Sequence, residues 1–486
     1  MKFFKQITII SALFLFVPSC TEYVDYDPVD DFQITADAYF FSADDYEAAV
    51  IGTYDPLQWQ YLNILIGDIA SDNSLSGGES ATDVIGLQHI DNMTHNPNND
   101  NLTSIWRNLY EGINRANYLE ENKAKLDFDN KAALYAEVYF LRAYYYFELV
   151  KFFGDVPLFT ETRLTATDSG TLQRAPQSEV YAQIEIDLQN AISALPTSQT
   201  QKGRVTKFAA QALLGKVYLY QDKFTEAAPM LENVIGVFSL VNNYGDQFLK
   251  AGENGTESVF EVQHTNTSNW WDWDCATCGE GNFGIIHNGP RAFDGPEYAS
   301  GWSFNIPSNI LFNSFEAGDT RREASILDFE AFAEDTGASY VAGYKDTGYF
   351  NNKYIPRAGE SGAQTELNYL TNYRSIRYAD VLLMAAEANN RGGINDGKAQ
   401  DYLNQVRERA FGDTSHNITS TGSSLTQAIW DERNFELSME GHRFFDLVRT
   451  GEAANTITGF VSGKHEVFPI PQQEIDISGL TQNAGY

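Results

Sequence analysis

Cysteine is nearly absent, with three residues in 486, too few for a disulfide framework and without the paired spacing of a zinc ribbon. The seven histidines are scattered. Basic residues are scarce, 33 Lys and Arg against 66 Asp and Glu, a formal net charge of −33. A chain so acidic repels phosphate backbones, which disfavours nucleic-acid binding. The same charge weakens a preference for polyanionic glycans without excluding it, because one basic pocket could override the mean. No apolar run is long enough to cross a bilayer as a permanent helix. There is no G-x-S-x-G, no H-E-x-x-H and no phosphate-binding glycine loop. Two separated carboxylates suffice for a glycosidase, so that class stays open.

The N-terminus carries Lys2 and Lys5, then an apolar stretch from Ile9 to Val17, then Ser19 and Cys20. A short apolar run followed by a small residue and a cysteine reads as a lipoprotein signal peptide over 1–19, with Cys20 as the lipidated first residue. Removing 1–19 leaves 31 basic against 66 acidic residues, a net of −35. Residues 20–35 are acidic and poor in packing groups, and read as a flexible tether. From residue 36 to 486 no Pro/Gly/Ser linker appears, so the remainder reads as one mainly α-helical domain.

Residues 424–451 hold Glu432, Arg433, Glu436, Glu440, Arg443, Asp446 and Arg449, mostly three or four apart. On a helix such residues are neighbours and can pair. Trp430, Phe435, Leu437, Met439, Phe444, Phe445 and Leu447 lie between them. The expectation is one largely buried helix whose charges are paired. Arg443 is expected to be structural and to pair with Glu440 and Asp446. A catalytic carboxylate cluster is the less favoured reading of these acids. Residues 134–157 form a second aromatic helix holding Arg142 and Glu148, stopped by Gly154 and Pro157.

These segments, with Arg142-Ala143, Tyr146-Phe147 and Leu149, Gly154–Leu158, Arg377–Asp380, Glu387–Asn390 and the late FPIPQQEI from Phe468, closely resemble the SusD/RagB family of outer-membrane nutrient-binding lipoproteins. The resemblance implies a scaffold of about four tetratricopeptide-like helix pairs. It also implies display on the outer face of the outer membrane and a SusC-like TonB-dependent transporter as partner. The residues themselves support one helix pair at 208–235, where Leu214, Gly215, Tyr218, Phe224 and Ala227 take packing positions. A looser pair is read over 378–410, with Gly392-Gly393 and Asn395–Gly397 as its turn.

Two regions break the helical pattern. One lies near 67–101, rich in Asp, Asn, Ser and Gly; the other runs over about 252–366. Irregular inserts on a rigid scaffold are where binding usually resides. The second carries Trp270, Trp271, Trp273, Tyr298 and Trp302. Flat aromatic faces stack on the C–H faces of sugar rings while nearby polar groups bond the hydroxyls. Some of these tryptophans are expected to pack the insert and others to face ligand. Family resemblance adds Asp72 and Asn73, at an S-D-N-like position, as polar candidates, followed by Arg291. Cys275 and Cys278 read as a local disulfide in an exported protein, with free thiols and metal as alternatives. No cofactor is expected. Asp272 and Asp274, or the first insert, could hold a structural Ca²⁺, though neither has the loop spacing of a calcium motif.

The expected function is non-catalytic capture of a polysaccharide or oligosaccharide for delivery to the transporter. Its rivals are a secreted glycoside hydrolase and a structural repeat protein that binds only other proteins.

Overall fold

Ser42 opens the first helix, α1 (Ala43–Tyr54), with a capping box in which its side chain and that of Asp45 satisfy each other's backbone N–H. In this computed structural model the described residues are 39–165, 167–267, 278–362 and 368–486. There follow α2 (Tyr61–Ile69), α3 (Ile85–Asp91), α4 (Asp100–Glu121), α5 (Lys131–Phe153), α6 (Gln177–Ala194), α7 (Lys207–Leu219) and α8 (Phe224–Glu232). The second insert holds the short helices α9 (Asn309–Ser314), α10 (Arg321–Ser325) and α11 (Phe329–Thr336). The scaffold then resumes with α12 (Tyr378–Arg391), α13 (Asp396–Phe411), α14 (Gly422–Leu437) and α15 (Arg443–Thr450). The fold is mainly α, as expected.

Helix α5 is buried on every side along its middle, with every residue from Phe140 to Val150 buried, as the centre of a bundle requires, and its Arg142 and Glu148 are ion-paired there. Gly154, at φ 70°, ends it. Around it α4 packs on α5, α5 on α6, α6 on α7 and α7 on α8; α8 meets α12, which packs on α13 and α14. The α7–α8 pair depends on Gly215, since a Cβ there would lie 2.5 Å from Leu231 Cγ. Ala227, fully buried, fills the remaining gap. In the α12–α13 pair Asn395 caps the second helix, so Asp396 and Gly397 belong to that helix and not to the turn.

Among the described residues the strands are short and pair as two-stranded antiparallel ribbons. They are β1 (Ser74–Leu75), β2 (Val156–Pro157), β3 (Arg174–Ala175), β4 (Ser258–Val262), β5 (Arg291–Asp294), β6 (Ile306–Pro307), β7 (Ile326–Asp328), β8 (Ser339–Val341), β9 (Tyr349–Asn351) and β10 (Tyr373–Arg377). One ribbon joins the two inserts, with Ser74 opposite Pro307 and Leu75 opposite Ile306. The β4–β10 ribbon ties the start of the second insert to the strand entering α12.

The single helix expected over 424–451 is in fact two. The chain turns between α14 and α15, with Met439 at φ 63° and Gly441 at φ 82°. The cause is close passage over α2: a Cβ on Gly67 would lie 2.1 Å from the Gly441 carbonyl oxygen, and one on Gly441 would lie 2.7 Å from Ile64 Cα. The turn also redirects Arg443. It pairs through Nε at 2.8 Å with Asp72, rather than with Glu440 or Asp446. Arg443 is therefore an ion-paired scaffold residue, with a different partner from the one its spacing suggested.

The remaining charges are buried and paired. Glu432 meets Arg321 at 2.6 Å and Arg407 at 2.7 Å. Glu436 meets Arg409 at 2.6 Å and Arg377 at 2.9 Å. Glu440 meets Lys353 at 2.7 Å and Arg377 at 2.8 Å. Asp319 and Glu257 complete the set on Arg321 and Arg377. A second group joins Asp380 to Arg433, Glu387 to Arg449, and Asp446 to both arginines. Against the upward push of burial, these guanidinia, with Lys353 at Glu440 and Lys216 at Asp380, hold Glu436, Glu440, Asp380 and Asp446 below their usual carboxylate values.

Arg377 bonds Glu257, Glu436 and Glu440 at once. Arg377→Ala would leave three buried carboxylates short of a partner, and should cost about 3–5 kcal/mol. Denaturant unfolding checks this; a loss below about 1 kcal/mol would contradict the pairing.

Candidate functional site

The two inserts meet where their sequences turn to glycine and small polar residues. Gly78 donates its N–H to the Ser303 carbonyl at 2.7 Å, and Tyr344 donates to the Gly78 carbonyl at 2.9 Å. Side chains are excluded at this seam: a Cβ on Gly77 would lie 2.1 Å from Ser303 O, and one on Gly343 would lie 2.4 Å from Gly78 O. Val84, Ala292, Glu297, Ser303 and Lys345 all take positive φ around it. For Val84, β-branched, at φ 42°, this is strained backbone of the kind held at binding loops.

Arg291, on β5, lies across the seam. Its Nη1 donates to the Trp302 carbonyl at 2.8 Å. Glu79 and Asp83 of the first insert stand 3.7 and 3.9 Å from its guanidinium. Those longer contacts leave Arg291 less tightly held than the buried arginines. Glu79, Ser80, Ala81 and Thr82 are exposed on one side of it, with Val341 and Ala342 on the other. The result is an open, mixed polar and apolar surface with one central guanidinium.

The seam rests on a buried amide network. Asp68, at the end of α2 and wholly buried, accepts from Gly441 N at 2.8 Å and from Asn305 Nδ2 at 2.9 Å. Asn305 and Asn351 both donate to Asn288 Oδ1, and Ser74 Oγ donates to Asn305 Oδ1 at 2.5 Å. Burial pushes the Asp68 carboxyl up to about 7, its two hydrogen bonds and distant Lys353 offsetting only part.

Trp302 is partly buried, its ring edge-on to Phe283 at 5.5 Å and to His287 at 5.3 Å. That makes it a packing residue of the insert with part of its surface open. Tyr298, 8% exposed, donates to Asn352 Oδ1 at 3.2 Å, so it belongs to the insert core and not to a ligand surface. Asp72 and Asn73 are also not free for ligand. Asp72 holds Arg443 through both carboxylate oxygens, and buried Asn73 donates to Asn434 at 2.8 Å. The S-D-N position is scaffold here because it is where α14 and α15 close on the first insert. Trp270, Trp271, Trp273, Cys275, Asp272, Asp274 and Cys20 lie outside the described residues. Cys278 is disulfide-bonded. Among the described residues no group of three or more His, Cys, Asp or Glu could hold a metal ion, and no helix is long and apolar enough to cross a membrane.

Sequence reasoning missed Asp68, Asn288, Asn305 and Asn351, whose partners lie tens to hundreds of positions away. It also missed Glu79 and Asp83. The Gly77-Gly78 pair was the available signal for a close backbone approach.

Comparison with known proteins agrees with this architecture. Residues 256–466 match the family described as the SusD family, and residues 36–219 match one described as starch-binding and associating with the outer membrane. A solved laminarin-binding SusD-like protein is 39% identical, covering 92% of this chain and 100% of its own, with a TM-score of 0.83. Surface glycan-binding protein A from Bacteroides thetaiotaomicron, solved with laminarihexaose, is 28% identical over 91% of this chain and 99% of its own, with a TM-score of 0.81. SusD-like protein P2 of Formosa agariphila is 28% identical, covering 93% of this chain and 94% of its own.

The raised Asp68 carboxyl fixes a pH dependence. Between about pH 4 and 7 the unfolded chain is ionised at this group while the folded one stays protonated. The folded state therefore loses stability as pH rises, by ~1.4 kcal/mol per unit at most, and the effect is flat above about 7. Asp68→Asn lacks this loss. The stability difference between variant and wild type should shift in the variant's favour from pH 4 to 7; a difference independent of pH would contradict the assignment.

Proposed function

Because the chain belongs to the SusD family, we propose that it is a non-catalytic glycan-binding lipoprotein of the cell surface. It captures a polysaccharide or oligosaccharide at the seam between its inserts. The observation that carries this reading is the laminarin-binding relative, 39% identical with nearly the whole of both chains aligned. A neutral, laminarin-type glucan suits this chain on its own chemistry too. Its net charge is −33, and Glu79 and Asp83 flank the one guanidinium at the seam, so a polyanion meets repulsion.

In this reading Arg291 donates to glucan hydroxyls, Trp302 offers its open edge, and Trp270, Trp271 and Trp273 supply stacking faces. Cys275 pairs with Cys278 and pins that segment. Cys20 carries the lipid that holds the protein to the outer membrane, outward-facing. A SusC-like TonB-dependent transporter receives the glycan, the bound protein acting as a lid that raises local ligand concentration. No cofactor takes part.

Affinity electrophoresis tests the ligand. Laminarin in the gel should retard the protein, a uronate polymer should not, and Arg291→Ala should weaken the laminarin affinity roughly tenfold, about 1.4 kcal/mol, at unchanged melting temperature. No retardation by laminarin contradicts the ligand, and an Arg291→Ala variant with wild-type affinity contradicts the site. For the anchor, Cys20→Ala should release the protein from the outer-membrane fraction; a variant that stays membrane-bound contradicts lipidation.

A further inference from the structure

After α8 the chain continues as Ile235–Val241, packed through Phe238 on Phe208 of α7 and Tyr378 of α12. Phe238 there is half-buried, edge-on to Phe208 at 6.2 Å and tilted on Tyr378 at 6.4 Å. It is shared by two depressions. One, of about 470 Å³, lies between the 238–242 segment and the C-terminal part of α13. The other, of about 270 Å³, lies between the 197–206 loop and β4. The larger depression alone has the size at which small-molecule sites are found, roughly 300–1,000 Å³.

The lining is apolar at the floor and polar at the rim. Phe238, Leu240 and Val241 form the floor of the larger depression, with Asn242 and Gln405 exposed at its edge. Two arginines reach the lining, and both are already neutralised. Arg204 is held by Glu47 and Glu137, and Arg409 by Glu257 and Glu436. An anion would therefore find little uncompensated positive charge, apart from Lys202 on the exposed 201–202 rim. A neutral ligand with one apolar face and many hydroxyls matches a ring flanked by primary amides.

We propose that this groove is a second carbohydrate-binding site, taking a neutral oligosaccharide with one sugar ring stacked on Phe238 and hydroxyls bonded by Asn242 and Gln405. It rests on the proposed glycan function only for the choice of probe. Two sites on one molecule would hold a polymer by avidity beyond either affinity, as long as the polymer spans both.

Isothermal titration with laminarihexaose and with maltohexaose tests it on the wild type, Phe238→Ala and Gln405→Trp. The last fills the groove from an exposed position and leaves the core untouched. For at least one probe the wild type should show a class of sites that Phe238→Ala weakens tenfold or more and Gln405→Trp removes. Arg291→Ala should leave that class intact. If neither probe shows a class sensitive to both groove variants, the proposal fails, whatever the seam does. Should the groove class persist while Arg291→Ala has no effect on the rest, the seam reading fails and the groove stands.

Discussion

A file of three glutamates, Glu432, Glu436 and Glu440, runs down one side of α14 and into the turn after it, and the rest of the structure is arranged to neutralise them. All three are fully buried, and unpaired carboxylates there would be costly enough to unfold the chain. Their partners come from separate parts of the sequence: Arg321 and Lys353 from the second insert, Arg377 from β10, Arg407 and Arg409 from α13. Such pairs contribute modest net stability, because desolvation offsets most of the attraction. What they supply is specificity of arrangement. The placement of insert, strand and helix found here meets every one of these charges.

The consequence reaches the seam by a short path. Glu440 is followed by Gly441, whose N–H bonds Asp68, and Asp68 bonds Asn305. Asn305 neighbours β6, and β6 pairs with β1 of the first insert. The helical scaffold thus fixes the floor of the seam through buried hydrogen bonds, while Arg291 and the exposed 79–82 stretch above it stay available. A rigid support beneath an open rim lets a loop-built site bind without a large ordering cost.

The motif helices were legible in the sequence because charge spacing and aromatic density are local properties. The existence of two inserts was legible from composition, and so was the close packing at Gly215. The break at Gly441 was not, because its cause is the backbone of α2 some 370 positions away, and spacing alone made Arg443 look like a partner for its own helix. Asp72 and Asn73 looked like ligand groups because the family resemblance put them at an S-D-N-like position, and nothing local shows that Arg443 and Asn434 close on them. The buried Asn288, Asn305 and Asn351 carried no local sign of their shared role.

On this account the seam between the inserts is preformed by the buried network and not assembled by ligand. Native-state amide hydrogen exchange on the unliganded protein tests it most directly, because exchange reports local opening free energy. The amides of Gly78 and Ser308, bonded to Ser303 O and Asn73 O, should be protected to within about an order of magnitude of those in the middle of α12. Fast exchange at both, as in a solvent-exposed loop, with protection appearing only on adding glycan, would contradict it.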